Sequence, residues 1–230
     1  MLEDIKKRVF ESNIMLPKND LVTLTWGNAS EKDKETGYIV IKPSGIAYDK
    51  MSWEDMVIVD LTGKVIEGKY KPSSDTKTHI EIYKKYPDLG GIVHTHSRWA
   101  TIFSQAEKDI PALGTTHADY FYGSIPCTRL LSKEEIRGDY EKETGKVIIE
   151  TFEDLNVDPS IIPAILVAHH GPFVFGKDSL EAVEHSIILE ELAFMAYHNI
   201  SLNPNTEKIQ KELLEKHFNR KHGKDAYYGQ

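Results

Sequence analysis

Four short segments rich in β-branched residues follow one another in the first half of the chain, and each is bounded by a turn. Two of them, LVTLT and YIVI, run into the turn sequences WGN and KPSG. The other two, MVIV and KVIE, lie on either side of a turn at Thr62 and Gly63. Short β-branched runs separated by such turns are typical of antiparallel strands. The first half of the chain is therefore predicted to be rich in strands, with the first strand at residues 21–25.

Helical patterns occupy the N-terminus and the second half of the chain. Helices are predicted at about residues 2–13, 73–86, 100–106, 133–152 and 179–200. The fourth of these is expected to be interrupted near Gly145, and apolar strands are expected to lead into His94 and His169. No linker divides the chain, so we predict one domain over residues 1–230. The expected fold class is α/β, with a central mostly antiparallel or mixed sheet covered by helices on both faces.

Charge and apolar patterning exclude several kinds of partner. The chain has 28 Lys and Arg against 36 Asp and Glu, a net charge of −8, which disfavours binding to nucleic acid. The first residues mix both charges, unlike a signal peptide, and no stretch approaches the roughly 20 apolar residues that span a bilayer. We expect a cytoplasmic protein without a membrane partner. The single cysteine, Cys127, is expected to be a free thiol.

Two histidines one residue apart, in the stretch GIVHTHSRWA, indicate a metal site. In a strand, His94 and His96 point to the same face, so both rings can hold one ion. Catalytic zinc usually has three protein ligands and one position for water or substrate. The stretch AHHGPF offers His169 and His170 as the third ligand, and if the strand continues they point in opposite directions, so only one converges.

Eight motifs occur along the chain in this order: LVTLTWGNAS, IKPSG, KPSSDT, GGIVHTHS, GTTHADYFYG, IPCTR, HHGPF and KHGKDAYYGQ. Together they resemble the class II aldolase and adducin family and, within it, the L-ribulose-5-phosphate 4-epimerases. The resemblance implies a class II aldolase-like fold. It also implies that His94, His96 and His170 bind a divalent metal, with Zn²⁺ the first choice and Mn²⁺ or Co²⁺ as alternatives.

Asp75 follows the paired serines of the KPSSDT motif. The family's sugar-phosphate aldolases carry a glutamate there as metal ligand and base, and the shorter aspartate resembles the epimerases. The resemblance therefore adds Asp75 to the metal site. An aspartate at this position would also suit the N-cap of the following helix, and one carboxylate can serve in both ways.

The resemblance implies that the protein interconverts L-ribulose 5-phosphate and D-xylulose 5-phosphate. Carbon 4 of these sugars is not adjacent to the carbonyl, so its hydrogen is not acidic and simple proton removal cannot invert it. Cleavage of the bond between carbons 3 and 4, rotation of the aldehyde fragment and re-formation of the bond would invert it. The alternatives are an aldolase that releases both fragments and, less favoured, a binding module without catalysis, as in adducin.

Inversion needs acid–base groups on opposite sides of carbon 4. By resemblance these are Asp119 and Tyr228, with Tyr228 reaching into the site of a neighbouring subunit. Tyr227 is the immediate alternative to Tyr228. We therefore expect a homo-oligomer, with a tetramer suggested by the family, whose active sites lie at subunit interfaces.

Three loops are candidates for binding the phosphate of the sugar. Short loops with backbone amides, hydroxyls and a nearby cation are suited to anions, as is a helix N-terminus. In sequence order the candidates are Gly27, Asn28, Lys42, Ser44, Gly45, Ser73 and Ser74. Thr115, His117, Glu141 and His217 are weaker candidates for orienting substrate or neighbouring side chains. The basic segment 216–224 is expected to be mainly a solvated helix face.

Overall fold

The computed structural model describes residues 1–224 and 226–227, which contain seven strands, eight α-helices and two short 3-10 helices, Tyr48–Lys50 and Trp53–Asp55. The strands are β1 (Asn28–Lys32), β2 (Ile39–Ile41), β3 (Val57–Val59), β4 (Val65–Glu67), β5 (Gly91–His94), β6 (Ala164–Val167) and β7 (Gly171–Gly176). The helices are α1 (Glu3–Lys18), α2 (Thr76–Lys85), α3 (Arg98–Gln105), α4 (Thr115–Ala118), α5 (Lys133–Arg137), α6 (Tyr140–Leu155), α7 (Ser179–Leu202) and α8 (Lys211–His222).

The strands form one antiparallel sheet in the order β4-β3-β2-β1-β5-β7-β6. This confirms the predicted α/β fold class. In the register of the three central strands, His94 lies opposite Asn28 on one side and opposite Phe173 on the other. The residues at this end of β1, β5 and β7 therefore lie together in space. The candidate site is at this end of the three strands.

Helices cover both faces of the sheet, as predicted. One apolar cluster joins the strands to α2 and α6 through residues such as Ile80 and Phe152. On the other face, Leu189 and Ala193 of α7 pack with Val174 and with residues of α3. Within the described part of the chain, none of the helices combines the length and the apolar character needed to cross a membrane.

The prediction of a first strand at residues 21–25 is wrong. This segment is a bend in which Leu24 has a positive φ of 54° and is 80% exposed. The true strand is NASEK, and its polar residues are buried because they have partners: the Glu31 carboxylate accepts hydrogen bonds from Arg8 and Ser179. A strand of buried polar residues lacks the apolar pattern that predicts strands, whereas the preceding apolar run matches that pattern.

The predicted interruption of the fourth helix near Gly145 is also wrong. The helical segment is interrupted at Gly138, between α5 and α6. Gly145 lies within α6, where a Cβ would be 2.8 Å from the Cβ of Glu81 on α2. The glycine therefore permits close packing of two helices and does not end one.

Candidate metal centre

Three imidazole rings lie close together at this end of the central strands. His94 ends β5, His96 follows it, and His170 lies in the turn between β6 and β7. One ligand nitrogen from each ring can be chosen so that all three lie within 4.8 Å of one another. The ring centroids are 4.7 to 5.0 Å apart in the three pairs. The three histidines predicted as ligands therefore lie close enough together to hold one metal ion, and their role as ligands stays a prediction.

His170, and not His169, completes the cluster. His169 has a left-handed backbone with a φ of 59°, and its ring contacts the carboxylate of Glu107 at 3.2 Å on the surface. The strand β6 has ended at Val167, so simple alternation no longer governs the direction of the two side chains.

The orientation of His94 leaves a lone pair in the cluster. Its Nδ1 lies 2.9 Å from the carbonyl oxygen of Pro172, which can only accept, so Nδ1 carries the proton. In a neutral ring, Nε2 is then the free acceptor, and it lies 3.1 Å from Nε2 of His96. Two lone pairs at this distance repel each other, so a proton or a cation belongs between them. A histidine whose far nitrogen is bound to a carbonyl is a common arrangement for metal ligands.

Burial favours the neutral form of all three rings. Burial, together with the neighbouring rings, lowers the pKa of His94 and that of His170 to about 3. Burial also lowers the pKa of His96. Since a metal competes with protons for these nitrogens, low pKa values keep the cluster available to a cation. Three imidazole donors fit zinc and accept other divalent transition metals.

Asp75 lies beside the cluster. Its carboxylate oxygen Oδ2 accepts a hydrogen bond from Nδ2 of Asn28 at 2.7 Å and makes none to the amides of α2. The side-chain N-cap that the sequence allows at Asp75 is therefore not formed. The negative charge partly offsets the lowering of the pKa at His96 and His170, so it acts on both rings. No oxygen of Asp75 belongs to the group of nitrogens within 4.8 Å.

A cavity of about 400 Å³ joins this cluster to the predicted phosphate loops. All of the residues predicted to bind phosphate or metal line it, namely Gly27, Asn28, Lys42, Ser44, Gly45, Ser73, Ser74, Asp75, His94, His96 and His170. The structure adds Thr25, Trp26 and Pro43. Five separate segments of sequence thus contribute to one cavity.

Lys42 carries a buried positive charge in this cavity. It is 2% exposed, and its Nζ lies 3.5 Å from the carbonyl oxygen of Pro43 and 4.8 Å from the ring centre of Tyr48. Among the described residues no carboxylate lies within ion-pair distance of it. Burial lowers the pKa of Lys42 to about 8, against the opposing charge of Asp75. A buried cation without a paired anion is a strong candidate for binding an anionic group.

The loops around Lys42 are shaped by glycines and backbone bonds. Gly27 and Gly45 have positive φ values of 77° and 70°, which glycine adopts without strain. A Cβ at Gly27 would also lie 2.9 Å from the carbonyl oxygen of His94. The backbone amide of Ser73 donates to the carbonyl of Lys42 at 3.0 Å, which joins two of the loops. Ser74 is exposed just before the N-terminus of α2, and a helix N-terminus favours the binding of anions.

Asp119 does not line the cavity of its own chain. It follows α4 and receives hydrogen bonds from His217 at 3.1 Å and from Arg220 at 2.9 Å, both on α8. Burial tends to raise the pKa of Asp119, but the bonds from Arg220 and His217 outweigh it and hold the pKa below its usual range. Tyr228 lies outside the described residues. Tyr227 is 66% exposed, and its backbone amide donates to the carbonyl of Arg220 at 2.9 Å.

The weaker candidates do not line the cavity either. His117 is buried and donates from Nε2 to the carbonyl of Gly123 at 2.7 Å, which is a structural role. Thr115 and Glu141 lie in the first turns of α4 and α6. Burial, with nearby carboxylates, raises the pKa of Cys127 to about 11, as expected for an unreactive thiol.

Sequence reasoning missed two aromatic residues of the site. The hydroxyl of Tyr140 lies 3.3 Å from Nδ1 of His170, and Trp26 lies beside His96 with ring centroids 5.8 Å apart. Tyr140 occurs in a charged helical segment that carries no signal of metal chemistry. Trp26 stands within the WGN turn, where only the glycine and asparagine suggested a role.

Comparisons with known proteins agree with this architecture. A model of the family "Class II Aldolase and Adducin N-terminal domain" matches residues 7–197. Among solved structures, the chain is similar to an L-fuculose 1-phosphate aldolase at 23% identity and a TM-score of 0.77, over 93% of this chain and 94% of that chain. Another L-fuculose 1-phosphate aldolase, from Glaciozyma antarctica PI12, matches at 19% identity and 0.76, over 95% and 81%.

A third similar structure is YgbL from Klebsiella pneumoniae, described as a candidate aldolase, epimerase or decarboxylase. It matches at 22% identity and a TM-score of 0.74, over 94% of this chain and 99% of that chain. At such identities the structural likeness establishes the fold alone.

Proposed function

The chain belongs to the class II aldolase and adducin family, and from that premise we propose that it is a metal-dependent sugar-phosphate epimerase. Its proposed substrates are L-ribulose 5-phosphate and D-xylulose 5-phosphate. The observation that carries the proposal is one cavity lined both by three imidazoles and by a buried lysine that has no ion-pair partner among the described residues. Such a cavity suits a small anionic sugar with a phosphate at one end and a carbonyl at the other.

His94, His96 and His170 would hold a divalent ion, and Asp75 would be a further ligand. Zn²⁺ is the first choice for the ion, and Mn²⁺ or Co²⁺ are the alternatives. The ion would supply Lewis-acid stabilisation of the negative charge that develops on the carbonyl end of the sugar. The carbonyl of Pro172 orients the ring of His94, and the hydroxyl of Tyr140 orients the ring of His170.

Lys42 and the serines would hold the phosphate. The ammonium supplies the charge, and Ser44, Ser73 and Ser74 supply hydroxyl groups from the two adjoining loops. A phosphate held at this end keeps the cleaved aldehyde fragment in the cavity while it rotates. This retention is what separates an epimerase from an aldolase.

The reaction needs a proton to leave the hydroxyl on carbon 4 as the bond between carbons 3 and 4 breaks. The electron pair of that bond passes to the carbonyl group. The two fragments are then glycolaldehyde phosphate and the enediolate of dihydroxyacetone. After the aldehyde rotates, the bond re-forms and the new alkoxide takes up a proton on the opposite side. We assign these proton transfers to Asp119 and Tyr228.

Asp119 lines no part of its own chain's cavity, so we propose that it acts in the cavity of a neighbouring copy. It accepts hydrogen bonds from Arg220 on α8, and Tyr228, the second proposed acid–base group, comes after α8 in the sequence. This assignment requires a homo-oligomer. The family resemblance suggests that the oligomer is a tetramer.

An aldolase is the second candidate, because two of the similar structures are L-fuculose 1-phosphate aldolases. The aspartate at position 75, in place of the glutamate of the family's aldolases, favours the epimerase. A non-catalytic binding module would have no need for the three converging histidines.

Product analysis distinguishes these possibilities. The protein is incubated with L-ribulose 5-phosphate, with and without a chelator, and all products are quantified. We expect D-xylulose 5-phosphate with little free glycolaldehyde phosphate, and loss of the reaction with chelator. Release of dihydroxyacetone and glycolaldehyde phosphate as the main products would favour the aldolase, and no reaction under either condition would favour the binding module.

A further inference from the structure

Trp26 is a large aromatic residue at the mouth of the cavity. It is 51% exposed, and it lines the cavity together with Gly27 and Asn28. Leu24, in the same loop, is more exposed and does not line it. Leaving an indole half exposed forgoes much of the free energy that its burial would provide. Packing within this chain therefore does not account for a tryptophan at this position.

The loop that carries Trp26 is held at several points. The hydroxyl of Tyr48 donates to the Trp26 carbonyl at 2.7 Å, and the Trp26 amide donates to the carbonyl of Thr23 at 3.1 Å. The next residue, Gly27, packs so closely on β5 that a Cβ there would clash with the carbonyl of His94. These contacts fix the position of the Trp26 backbone relative to the histidine cluster.

The indole lies on the histidine side of the cavity. Its ring centre is 5.8 Å from that of His96, with the planes inclined by 49°. If the phosphate lies against Lys42, the carbonyl end of the sugar is directed toward the histidines and reaches the indole. Apart from Pro43, the other side chains that line the cavity are polar groups or imidazole rings. Among the described residues, Trp26 therefore offers the largest apolar surface to the C–H bonds of a sugar.

We propose that Trp26 determines substrate specificity by covering the carbonyl end of the sugar phosphate. In this position the indole leaves room for a hydroxymethyl group at carbon 1 and excludes a longer chain there. This proposal rests on the proposed function, since it needs the phosphate at Lys42 and the carbonyl at the histidines. An extra carbon beyond the carbonyl would meet the ring, whereas the reacting bond and the phosphate would be unchanged.

Two substrates and three variants test this specificity. The substrates are L-ribulose 5-phosphate and a hex-3-ulose 6-phosphate of matching stereochemistry, which has one more carbon beyond the carbonyl. We expect Trp26→Ala to reduce the preference for the shorter sugar, measured as the ratio of kcat/KM values, by about 10-fold or more, the size of a one-carbon effect in a pocket. Trp26→Phe should lie between this variant and the original protein, and Leu24→Ala should leave the ratio unchanged. An unchanged ratio in Trp26→Ala would overturn the proposal.

Fluorescence gives a measurement that does not depend on turnover. The chain has three tryptophans, so Trp53→Phe combined with Trp99→Phe leaves Trp26 as the only tryptophan, whose emission is recorded with excitation beyond the absorption of tyrosine. We expect Co²⁺ to quench this emission, and L-ribulose 5-phosphate added to the Zn²⁺-loaded protein to shift it to shorter wavelength as the indole loses water.

The outcomes of the fluorescence experiment separate the two proposals. A shift without turnover would support the contact and contradict the proposed reaction. No shift, even with full turnover, would overturn the role of Trp26. An emission already at short wavelength before sugar is added, and returning to longer wavelength on dilution, would place another copy of the chain against the indole and would equally overturn it.

Discussion

Nε2 of His94 and Nε2 of His96 lie 3.1 Å apart, while the carbonyl of Pro172 holds the other nitrogen of His94. The contact means that His94 directs a lone pair toward its neighbour. His170 joins them from a turn more than seventy residues along the chain. The cluster is thus assembled by the pairing of β5 with β7, and each histidine should have a measurable share in binding metal.

Replacing His170 should reduce metal binding much more than replacing His169. We expect His170→Ala to purify with little Zn²⁺, because one of three donors is lost from the cluster. His169→Asn should retain full stoichiometry, since His169 lies on the surface and asparagine tolerates its left-handed backbone. Metal content after dialysis against a weak chelator measures both. Equal loss in the two variants would show that the turn, and not the ligand, is responsible.

Tyr140→Phe should weaken metal binding without abolishing it. The hydroxyl lies 3.3 Å from Nδ1 of His170, so its removal frees the ring to turn. Loss of such an outer partner typically costs about 10-fold in metal affinity. Competition with a chelating dye gives the dissociation constant. An unchanged constant would mean that Tyr140 does not orient His170.

The affinity for the sugar phosphate should fall as pH rises through about 8. Burial lowers the pKa of Lys42 to about 8 in the free protein, so the ammonium that would pair with phosphate is lost above this pH. Below it, the charge is present and binding is favoured. We expect KM for L-ribulose 5-phosphate to rise above pH 8, whereas kcat should be less affected.

Lys42→Met provides the control for this pH dependence. Removing the charge should raise KM by about 10- to 100-fold, the range for a lost charge-assisted hydrogen bond. It should also remove the rise in KM near pH 8. If the rise persists in this variant, another group is titrating.

Asp119→Asn should retain metal and fold but lose most turnover, by about 100-fold or more if it is a general base. Mixing this variant with His170→Ala then tests where Asp119 acts. Each variant alone lacks part of the site. If Asp119 reaches a neighbouring copy, mixed oligomers contain some complete sites and regain part of the activity. Mixtures that stay as inactive as their components would place Asp119 in its own chain's site or outside any site.

Gly145→Ala should destabilise the fold. The new methyl group would lie 2.8 Å from Glu81 Cβ and 3.0 Å from the carbonyl oxygen of Thr78, so α2 and α6 must separate. Overpacking of this kind costs about 1–3 kcal/mol and exceeds the gain of about 1 kcal/mol in helix propensity. Gly114→Ala, which meets nothing within 4 Å, should change the free energy of unfolding little. Urea denaturation compares the two, and equal stabilities would contradict tight packing at Gly145.

Much of the site could be predicted from sequence because its residues occur in short motifs. The loops of Lys42, Ser44 and Ser73 and the three histidines all line one cavity. Strand β1 was not predicted, because its buried polar residues depend on partners far away in sequence, such as Arg8 and Ser179. The relation of Tyr140 to His170 is hidden for the same reason: it follows from helix α6 packing beside the β6–β7 turn, which local sequence does not encode.

The central claim is that three imidazoles hold one divalent ion in the cavity that also contains Lys42. X-ray diffraction from crystals grown with Zn²⁺, recorded on both sides of the zinc absorption edge, tests it most directly. We predict one strong anomalous peak about 2.0–2.1 Å from a ring nitrogen of each of His94, His96 and His170, as in known zinc sites. A fully occupied zinc site elsewhere in the chain with no peak among these rings, or rings that point away from one another, would contradict the account.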